Sequence, residues 1–228
     1  MPSMLSQNQS RLIVVLLFAA FVGGFCCQAK SNDTASEPGP REKKRTPLDI
    51  PRKETDDKDR LKEWGVPLEL EGVPNFYRVT DTLYRSAQPT PQGMANLKKY
   101  GFKTVISLRT FHSDREKIDD LGLGYERIEM QAWDFDEKDV IRFLQLATNP
   151  KRQPVLVHCQ HGADRTGVVI AVYRIVVQNW TKEKAIDELK NGHYGYHTVW
   201  NHFVDEFFED LNVEKLKRYV EKTDGADE

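Results

Sequence analysis

Cysteine is scarce in this 228-residue chain, and its scarcity argues against two classes of protein. The three cysteines are Cys26, Cys27 and Cys159, too few for a small fold held together by several disulfides. No second cysteine lies near Cys159, as a dithiol redox motif would require. A strong excess of one charge is also missing, since 33 basic residues face 35 acidic ones. The composition therefore gives no indication of a nucleic-acid partner.

Long apolar runs are also rare, and the clearest one lies near the N terminus. Residues 12–22 are almost all apolar, and they follow Arg11 in a segment without acidic residues. This layout is typical of a secretory signal, with cleavage expected after Ala29. Two alternatives remain open: a lipoprotein modified at Cys26 or Cys27, and an uncleaved anchor, for which the run is short against about 20 residues. We expect an exported protein, in the periplasm or elsewhere outside the cytoplasm, with membrane attachment through the N terminus as the alternative.

The rest of the chain divides by composition into a linker, one domain and a tail. After the signal peptide or anchor at 1–29, residues 30–65 are charged and proline-rich, which predicts a flexible linker. Residues 66–220 have a length and composition that suit one domain. Residues 221–228 predict a disordered tail. We expect the protein to be a monomer.

Within the domain, strand-like and helix-like segments alternate. Strands are expected near 76–79, 83–85, 104–108, 125–130 and 155–157. Helices are expected after Thr90, with Pro91 first and Gly101 just past the end, and near Asp136, Thr166, Thr181 and Val199. Such alternation predicts a single α/β domain with a central, mostly parallel sheet flanked by helices.

One ten-residue segment carries the strongest chemical signal. Residues 158–167 read His-Cys-Gln-His-Gly-Ala-Asp-Arg-Thr-Gly, between the strand-like residues 154–157 and the helix-like residues 167–177. A loop between a central strand and a helix can direct its backbone N–H groups and the helix N terminus at one anion. The sequence therefore predicts a phosphate-binding loop that contains a sulfur nucleophile, and with it a metal-free phosphatase.

Four side chains in this loop have complementary chemistry. Arg165 provides a planar fork of donors for two phosphate oxygens. The same positive field stabilises a thiolate at Cys159. Gly162 allows a tight turn in which a Cβ would clash. The hydroxyl of Thr166 is expected to donate to the sulfur when the phospho-cysteine breaks down.

The motif His-Cys-x-x-Gly-x-x-Arg-Thr-Gly resembles the signature of the cysteine-based protein tyrosine and dual-specificity phosphatases. Residues 83–89, residues 173–178 and Trp180 are similar to a bacterial, exported branch of that family. The resemblance covers about residues 75–201. It implies the phosphatase fold, a phospho-cysteine intermediate, no cofactor and no metal.

The resemblance also implies roles for individual residues. Cys159 would be the nucleophile, Arg165 the phosphate clamp and Thr166 the hydroxyl that aids thiolate departure, while His158 would support the loop. Substrate would be bound by the loop itself, at Gln160, His161, Gly162, Ala163, Asp164 and Arg165.

The general acid that protonates the leaving group has three candidates. Asp134 is favoured, because it lies in a loop shortly before the helix that precedes the signature strand, where the family carries its acid. Asp136, followed by Asp139, resembles a helix N-cap and is expected to be structural. Asp164 belongs to a Gly-x-Asp-Arg-Thr pattern in which some related phosphatases use the aspartate as the acid.

The substrate and two other reaction classes remain open at this point. We favour a phosphotyrosine-bearing protein, with phosphoserine or phosphothreonine as further substrates, and a phosphoinositide or inositol phosphate as the alternative. Arg85, Arg109 and His112 are additional candidates for substrate binding, although Arg85 is also suited to tying loops together. A sulfurtransferase loop usually has one residue fewer than the five between Cys159 and Arg165. A phosphate-binding pseudophosphatase would lack the cysteine or the arginine.

Overall fold

A six-stranded sheet lies at the centre of the fold. The computed structural model describes residues 48–56 and 60–224, all within one compact unit. The spatial order of the strands is β1-β2-β3-β6-β4-β5. The last four of these are mutually parallel, and the first two add an antiparallel edge. The strands are β1 (Val66–Pro67), β2 (Tyr77–Arg78), β3 (Leu83–Ser86), β4 (Thr104–Ser107), β5 (Gly124–Arg127) and β6 (Val155–His158).

Seven helices in the described part of the chain cover both faces of the sheet. Two of them, α1 and α2, pack on one face, and the other five pack on the opposite face. The predicted mostly parallel α/β architecture is therefore confirmed, with β1, α2 and α7 as elements that the sequence patterns did not reveal. The helices are α1 (Pro91–Lys99), α2 (Arg115–Ile118), α3 (Glu137–Thr148), α4 (Asp164–Val176), α5 (Lys182–Asn191), α6 (Asn201–Asp210) and α7 (Val213–Asp224).

The central strand β6 is buried on both faces. Val155 and Val157 pack against the side of α3 to α7, whereas Leu156 between them packs against the side of α1 and α2. Side chains alternate across a strand, so a strand covered by helices on both sides needs apolar residues at every position. This explains why the segment before Cys159 is a continuous apolar run.

The register of the parallel strands brings three loops to one edge. His158 at the end of β6 lies opposite Ser86 of β3 and Ser107 of β4. The carboxyl ends of these strands are therefore level, and the segments that follow them leave the sheet side by side. Ligands of open α/β sheets bind at this edge.

Two predicted helix starts have the expected caps. Thr90 accepts a hydrogen bond from the backbone N–H of Gly93 at 3.1 Å, with Pro91 as the first residue of α1. Asp136 caps α3 by accepting from the N–H of Lys138 at 2.8 Å. These side chains satisfy backbone donors that the first helical turn leaves unpaired.

The folded unit extends beyond the predicted 66–220 at both ends. Ile50 and Trp64, in the segment expected to be a linker, are each only 6% exposed. Arg52 forms an isolated β-bridge with Leu68. These contacts arise because the charged segment contains a few apolar residues that pack on the domain. At the other end α7 continues to Asp224, four residues past the expected boundary.

Several sequence predictions concern parts of the chain outside the described residues. The signal peptide or anchor at 1–29, the linker up to residue 47 and the tail from residue 225 all lie there. Within the residues that are described, no helix combines the length and the apolar character needed to cross a membrane.

Candidate active site

The segment between β6 and α4 forms a tight loop around the cysteine. Cys159 follows the last residue of β6 directly, is 2% exposed and carries a free thiol. Five residues later α4 begins at Asp164 and runs for 13 residues. The predicted loop between a central strand and a helix is therefore present.

The carbonyl groups in the first half of the loop are bound on its outer side. The backbone N–H of Gln88 donates to the carbonyl of Gln160 at 3.2 Å. The side-chain amide of Asn75 donates to the carbonyl of His161 at 2.8 Å. Both donors belong to segments next to β3, so the neighbouring strand fixes the orientation of these peptide groups.

A buried arginine holds the second half of the loop. Arg85 of β3 is 1% exposed and donates from Nη2 to the carbonyls of Gly162 at 2.7 Å and Ala163 at 3.4 Å. Its guanidinium carbon lies 3.6 Å from the centre of the Tyr194 ring, a cation–π contact. Burial lowers the pKa of Arg85, while the nearby Tyr194 acts to raise it. Arg85 therefore holds the loop in place from beneath. Of its two candidate roles, binding substrate and tying loops together, these contacts fit the second.

These contacts determine where the N–H groups of the loop point. In a trans peptide the carbonyl and the following N–H are directed oppositely. Because the carbonyls of residues 160–163 are bound on the outer side, the N–H groups of residues 161–164 are directed to the inner side. The N terminus of α4 adds the positive end of its dipole. The result is a concave surface suited to a phosphate dianion.

Gly162 has a backbone that only glycine adopts easily at this position. Its φ is +71°. A Cβ at Gly162 would lie 2.4 Å from the backbone carbonyl of Ser86 and 2.5 Å from the N–H nitrogen of Ala87. The loop therefore lies directly against the end of β3.

Arg165 and Arg109 stand at the mouth of the loop. Nη1 of Arg165 donates to the carbonyls of Leu108 at 3.2 Å and Met130 at 3.4 Å, so the loops after β4 and β5 orient the guanidinium. Arg109 donates to the side-chain carbonyl of Gln88, and burial lowers its pKa. Two guanidinium groups thus give this mouth a positive charge.

Thr166 lies in the first turn of α4. Thr166 is fully buried, and its hydroxyl has no hydrogen-bond partner among the described residues. Buried hydroxyls are normally paired. An unpaired hydroxyl one residue after Arg165 is available to a group that the loop binds.

A buried contact between a histidine and an aspartate lies at the strand end of the loop. Nε2 of His158 lies 3.3 Å from a carboxylate oxygen of Asp114, and both side chains are fully buried. Burial acts to raise the pKa of Asp114, but the adjacent His158 and the hydrogen bonds from Lys117 and Gln88 outweigh it and hold that pKa well below its usual range. Asp114 was not predicted from the sequence, since an acidic residue in a polar segment gives no local signal of burial.

The three candidate acids have different surroundings. Asp134 is exposed and lines the cavity next to the active-site cavity, whereas the preceding residue, Trp133, lines both. Asp136 is the N-cap of α3, as predicted, and pairs with Lys138 at 2.6 Å. Asp164 is 7% exposed and accepts a hydrogen bond from the backbone N–H of His197 at 2.9 Å.

The mouth of the loop opens into a cavity of about 400 Å³, here called the active-site cavity. It contains several predicted substrate-binding residues, together with aromatic and aliphatic residues that the sequence analysis did not single out. Its lining consists of Arg109, Thr110, Phe111, His112, Gln131, Ala132, Trp133, Gln160, His161, Asp164, Arg165, His197, Val199 and Trp200.

One group of side chains in the described part of the chain has the composition of a metal site. His161, Asp164 and His197 offer ligand atoms that all lie within 4.8 Å of one another. Asp164 already binds His197 through the imidazole Nδ1 at 2.9 Å. Metal independence therefore stays a prediction that needs a direct test.

A buried polar network lies behind Arg85. The hydroxyl of Tyr194 donates to Glu188 at 2.8 Å, and Arg174 donates to the same carboxylate at 2.7 and 2.9 Å. The backbone N–H of Gly65 also donates to Glu188 at 2.8 Å. Hydrogen bonds from Arg174, Gly65 and Tyr194 overcome the effect of burial and lower the pKa of Glu188.

We predict that Gly162→Ala abolishes anion binding, with Gly195→Ala as the matched control. Both glycines have a positive φ, so both substitutions carry a backbone cost of about 1–2 kcal/mol. Only at Gly162 does the new Cβ meet other backbone atoms, because Gly195 has open space around it. We expect kcat/KM for an aryl phosphate to fall by about a hundredfold or more in Gly162→Ala alone. Equal losses in both variants, measured beside thermal unfolding, would contradict the assigned loop geometry.

Comparison with known proteins identifies relatives of this chain. The dual specificity protein phosphatase TpbA of Pseudomonas aeruginosa is 39% identical over 122 residues, which are 53% of this chain and 56% of TpbA. A crystal structure of a TpbA variant in complex with pTyr superposes with a TM-score of 0.62 at 31% identity, covering 71% of this chain and 98% of that one.

A more distant relative shares the fold. The inositol diphosphatase SIW14 of Saccharomyces cerevisiae is 23% identical over 151 residues, which are 62% of this chain and 53% of SIW14. The structure of the Siw14 catalytic core has a TM-score of 0.60 at 21% identity and covers 70% of this chain and 97% of that one. The chain spans about half the length of these two curated relatives. Residues 72–226 match the sequence profile of the tyrosine phosphatase family, and the protein belongs to that family.

Proposed function

We propose that the protein is a metal-independent phosphomonoester hydrolase that acts on phosphotyrosine in proteins through a phospho-cysteine intermediate. Phosphoserine and phosphothreonine are the further substrates of this proposal. The observation that carries it is the loop after β6, where the carbonyls of residues 160–163 are bound outwards around a buried free thiol.

In the first step the thiolate of Cys159 attacks phosphorus. A bond from sulfur to phosphorus forms, and the bond from phosphorus to the tyrosine oxygen breaks. The N–H groups of the loop and the guanidinium of Arg165 stabilise the charge on the non-bridging oxygens. Asp134 donates a proton to the departing oxygen, so that a neutral phenol leaves.

In the second step water attacks the phospho-cysteine. Asp134, now a carboxylate, accepts a proton from this water, and the bond from phosphorus to sulfur breaks. The unpaired hydroxyl of Thr166 donates to the departing thiolate. Inorganic phosphate is released and Cys159 returns to its starting state.

The phosphotyrosine assignment draws on the relatives and on the loop. The structure of the TpbA variant contains pTyr, and Asp164 places a negative charge beside the phosphate site. An inositol phosphate is the second candidate substrate, because SIW14 is named an inositol diphosphatase.

We predict that Cys159→Ser reduces aryl phosphate hydrolysis to the uncatalysed background, because serine is a much weaker nucleophile at neutral pH. Wild-type activity should persist in excess EDTA and be inhibited by vanadate. A folded wild-type protein without turnover would indicate a pseudophosphatase, and transfer of sulfur from thiosulfate to cyanide would indicate a sulfurtransferase. Either result, or activity in Cys159→Ser, overturns the mechanism.

We predict that Asp134→Asn lowers kcat for phenyl phosphate by about a hundred- to ten-thousandfold, the usual contribution of a general acid. An aryl phosphate with a more acidic phenol should lose much less, since its leaving group needs no proton. Asp136→Asn is the matched control, because asparagine caps a helix as well as aspartate does. If Asp164→Asn instead shows this dependence on the leaving group, Asp164 is the acid.

We also propose that the protein is exported, on the strength of the apolar run at 12–22 and the small residues before position 30. Expression of the full chain in a bacterium, followed by fractionation and N-terminal mass analysis, tests this. The expected product begins at Lys30 and lies outside the cytoplasm. A lipid-modified Cys26 or Cys27, or an intact membrane-bound chain, would select the alternative anchors, whereas an intact cytoplasmic chain would refute export.

A further inference from the structure

Large apolar side chains are exposed mainly around the active site. Six such residues are exposed among those that the structure describes. Four of them line one or both of two neighbouring cavities: Phe111 (84% exposed), Trp133 (52%), Val199 (72%) and Phe203 (37%). Scattered exposed apolar residues need no explanation, but a cluster of them marks a binding surface.

The second cavity has a volume of about 350 Å³ and is here called the acidic groove. Trp133 belongs to its wall and also to the wall of the active-site cavity, so the two are adjacent. Its aromatic part includes Phe135 and Phe207, whose ring centres are 5.6 Å apart. It is lined by Trp133, Asp134, Phe135, Glu137, Phe203, Glu206, Phe207, Asp210 and Leu211.

The charge of the acidic groove is opposite to that of the phosphate loop. Among the described residues that line it are four acidic side chains and no lysine, arginine or histidine. One of the four is Asp134, which the proposed mechanism uses in its protonated form, so the negative charge comes from Glu137, Glu206 and Asp210. Lys215 lies outside this lining and pairs with Glu137 at 2.5 Å, which offsets one of these three charges, and His202 lies 3.9 Å from Glu206. Glu206 and Asp210 are both exposed on α6. A ligand that fills the groove therefore gains from positive charge and from apolar surface.

We propose that the acidic groove binds a lysine or arginine side chain of the substrate, a few residues from the phosphotyrosine. This inference rests on the proposed function, since the phosphotyrosine would occupy the adjacent active-site cavity. The aliphatic stem of a lysine or arginine packs on aromatic rings while its head meets the carboxylates. The enzyme would thus select phosphotyrosine peptides with basic flanking residues.

The same charge arrangement disfavours the other substrate class. An inositol phosphate with several phosphate groups would place its additional negative charges near the mouth of a groove that carries carboxylates. Like charges repel, and no basic residue among the described residues of the groove lining compensates them. Arg109 and Arg165 at the mouth of the phosphate loop attract the same charges, so the groove favours a basic peptide without excluding an inositol phosphate.

The test uses phosphotyrosine peptides of one length that carry two lysines, two alanines or two glutamates. In one set the two residues precede the phosphotyrosine, and in a second set they follow it. At low salt we expect kcat/KM for the best basic peptide to exceed that for the acidic peptide about tenfold, as two or three exposed ion pairs would give. The ratio should shrink as salt rises toward 1 M, where the screening length is about 3 Å.

Variants assign the preference to the groove. In Glu206→Gln/Asp210→Asn the ratio should fall to about twofold, while hydrolysis of a small aryl phosphate stays unchanged. Glu209→Gln is the matched control, since Glu209 is exposed on the same helix but does not line the groove. Removing negative charge from the last turn of α6 favours the helix dipole, so these variants are expected to fold.

The outcomes separate this inference from the proposed function. Failure to hydrolyse any aryl phosphate overturns the proposed function itself. Hydrolysis of aryl phosphate with equal kcat/KM for all peptides overturns only the groove, as does a preference that the double variant retains. Faster turnover of an inositol diphosphate than of every peptide overturns the phosphotyrosine assignment of the proposed function, and the groove assignment with it.

Discussion

The structure of the site depends on one buried arginine. Arg85 lies beneath the phosphate loop, where it binds the carbonyls of Gly162 and Ala163 and stacks on Tyr194. A guanidinium in such a place stays charged, so it can hold carbonyl oxygens strongly on one side of the loop. The opposite side is then left with N–H groups. Arg85 thus forms the anion site indirectly. It binds the carbonyl groups of the loop peptides, and the N–H groups of the same peptides are left to bind the anion.

Two regions of opposite charge lie side by side above this arginine. The loop and its mouth are positive, through backbone N–H groups, Arg109 and Arg165. Next to this region the surface becomes acidic and aromatic around Trp133. A substrate that satisfies both regions carries a dianion at one point and a cation a short distance away. A single phosphoamino acid binds only the positive region. The acidic groove therefore selects among substrates by the residues that flank the phosphoamino acid.

The sequence predicted the parts of the site that are encoded locally. The strand, the tight turn at Gly162 and the cap at Asp136 each follow from a few adjacent residues. The supports were not predictable in this way. Asn75 and Asp114 lie 86 and 44 positions from the loop residues that they bind, and nothing in their own neighbourhoods indicates burial or contact. Their positions follow from the pairing of the strands, antiparallel for β2 after Asn75 and parallel for β4 before Asp114, and only the folded sheet defines that pairing.

The contacts of the buried Glu188 carboxylate limit how far the domain can be shortened at its N terminus. It binds the N–H of Gly65 and the hydroxyl of Tyr194, the residue on which Arg85 stacks. A chain shortened to the boundary suggested by composition would begin at residue 66 and lose that N–H, together with the buried ring of Trp64. Truncating the domain at residue 66 would therefore weaken the contacts that support the phosphate loop from beneath, although the removed segment does not belong to the loop.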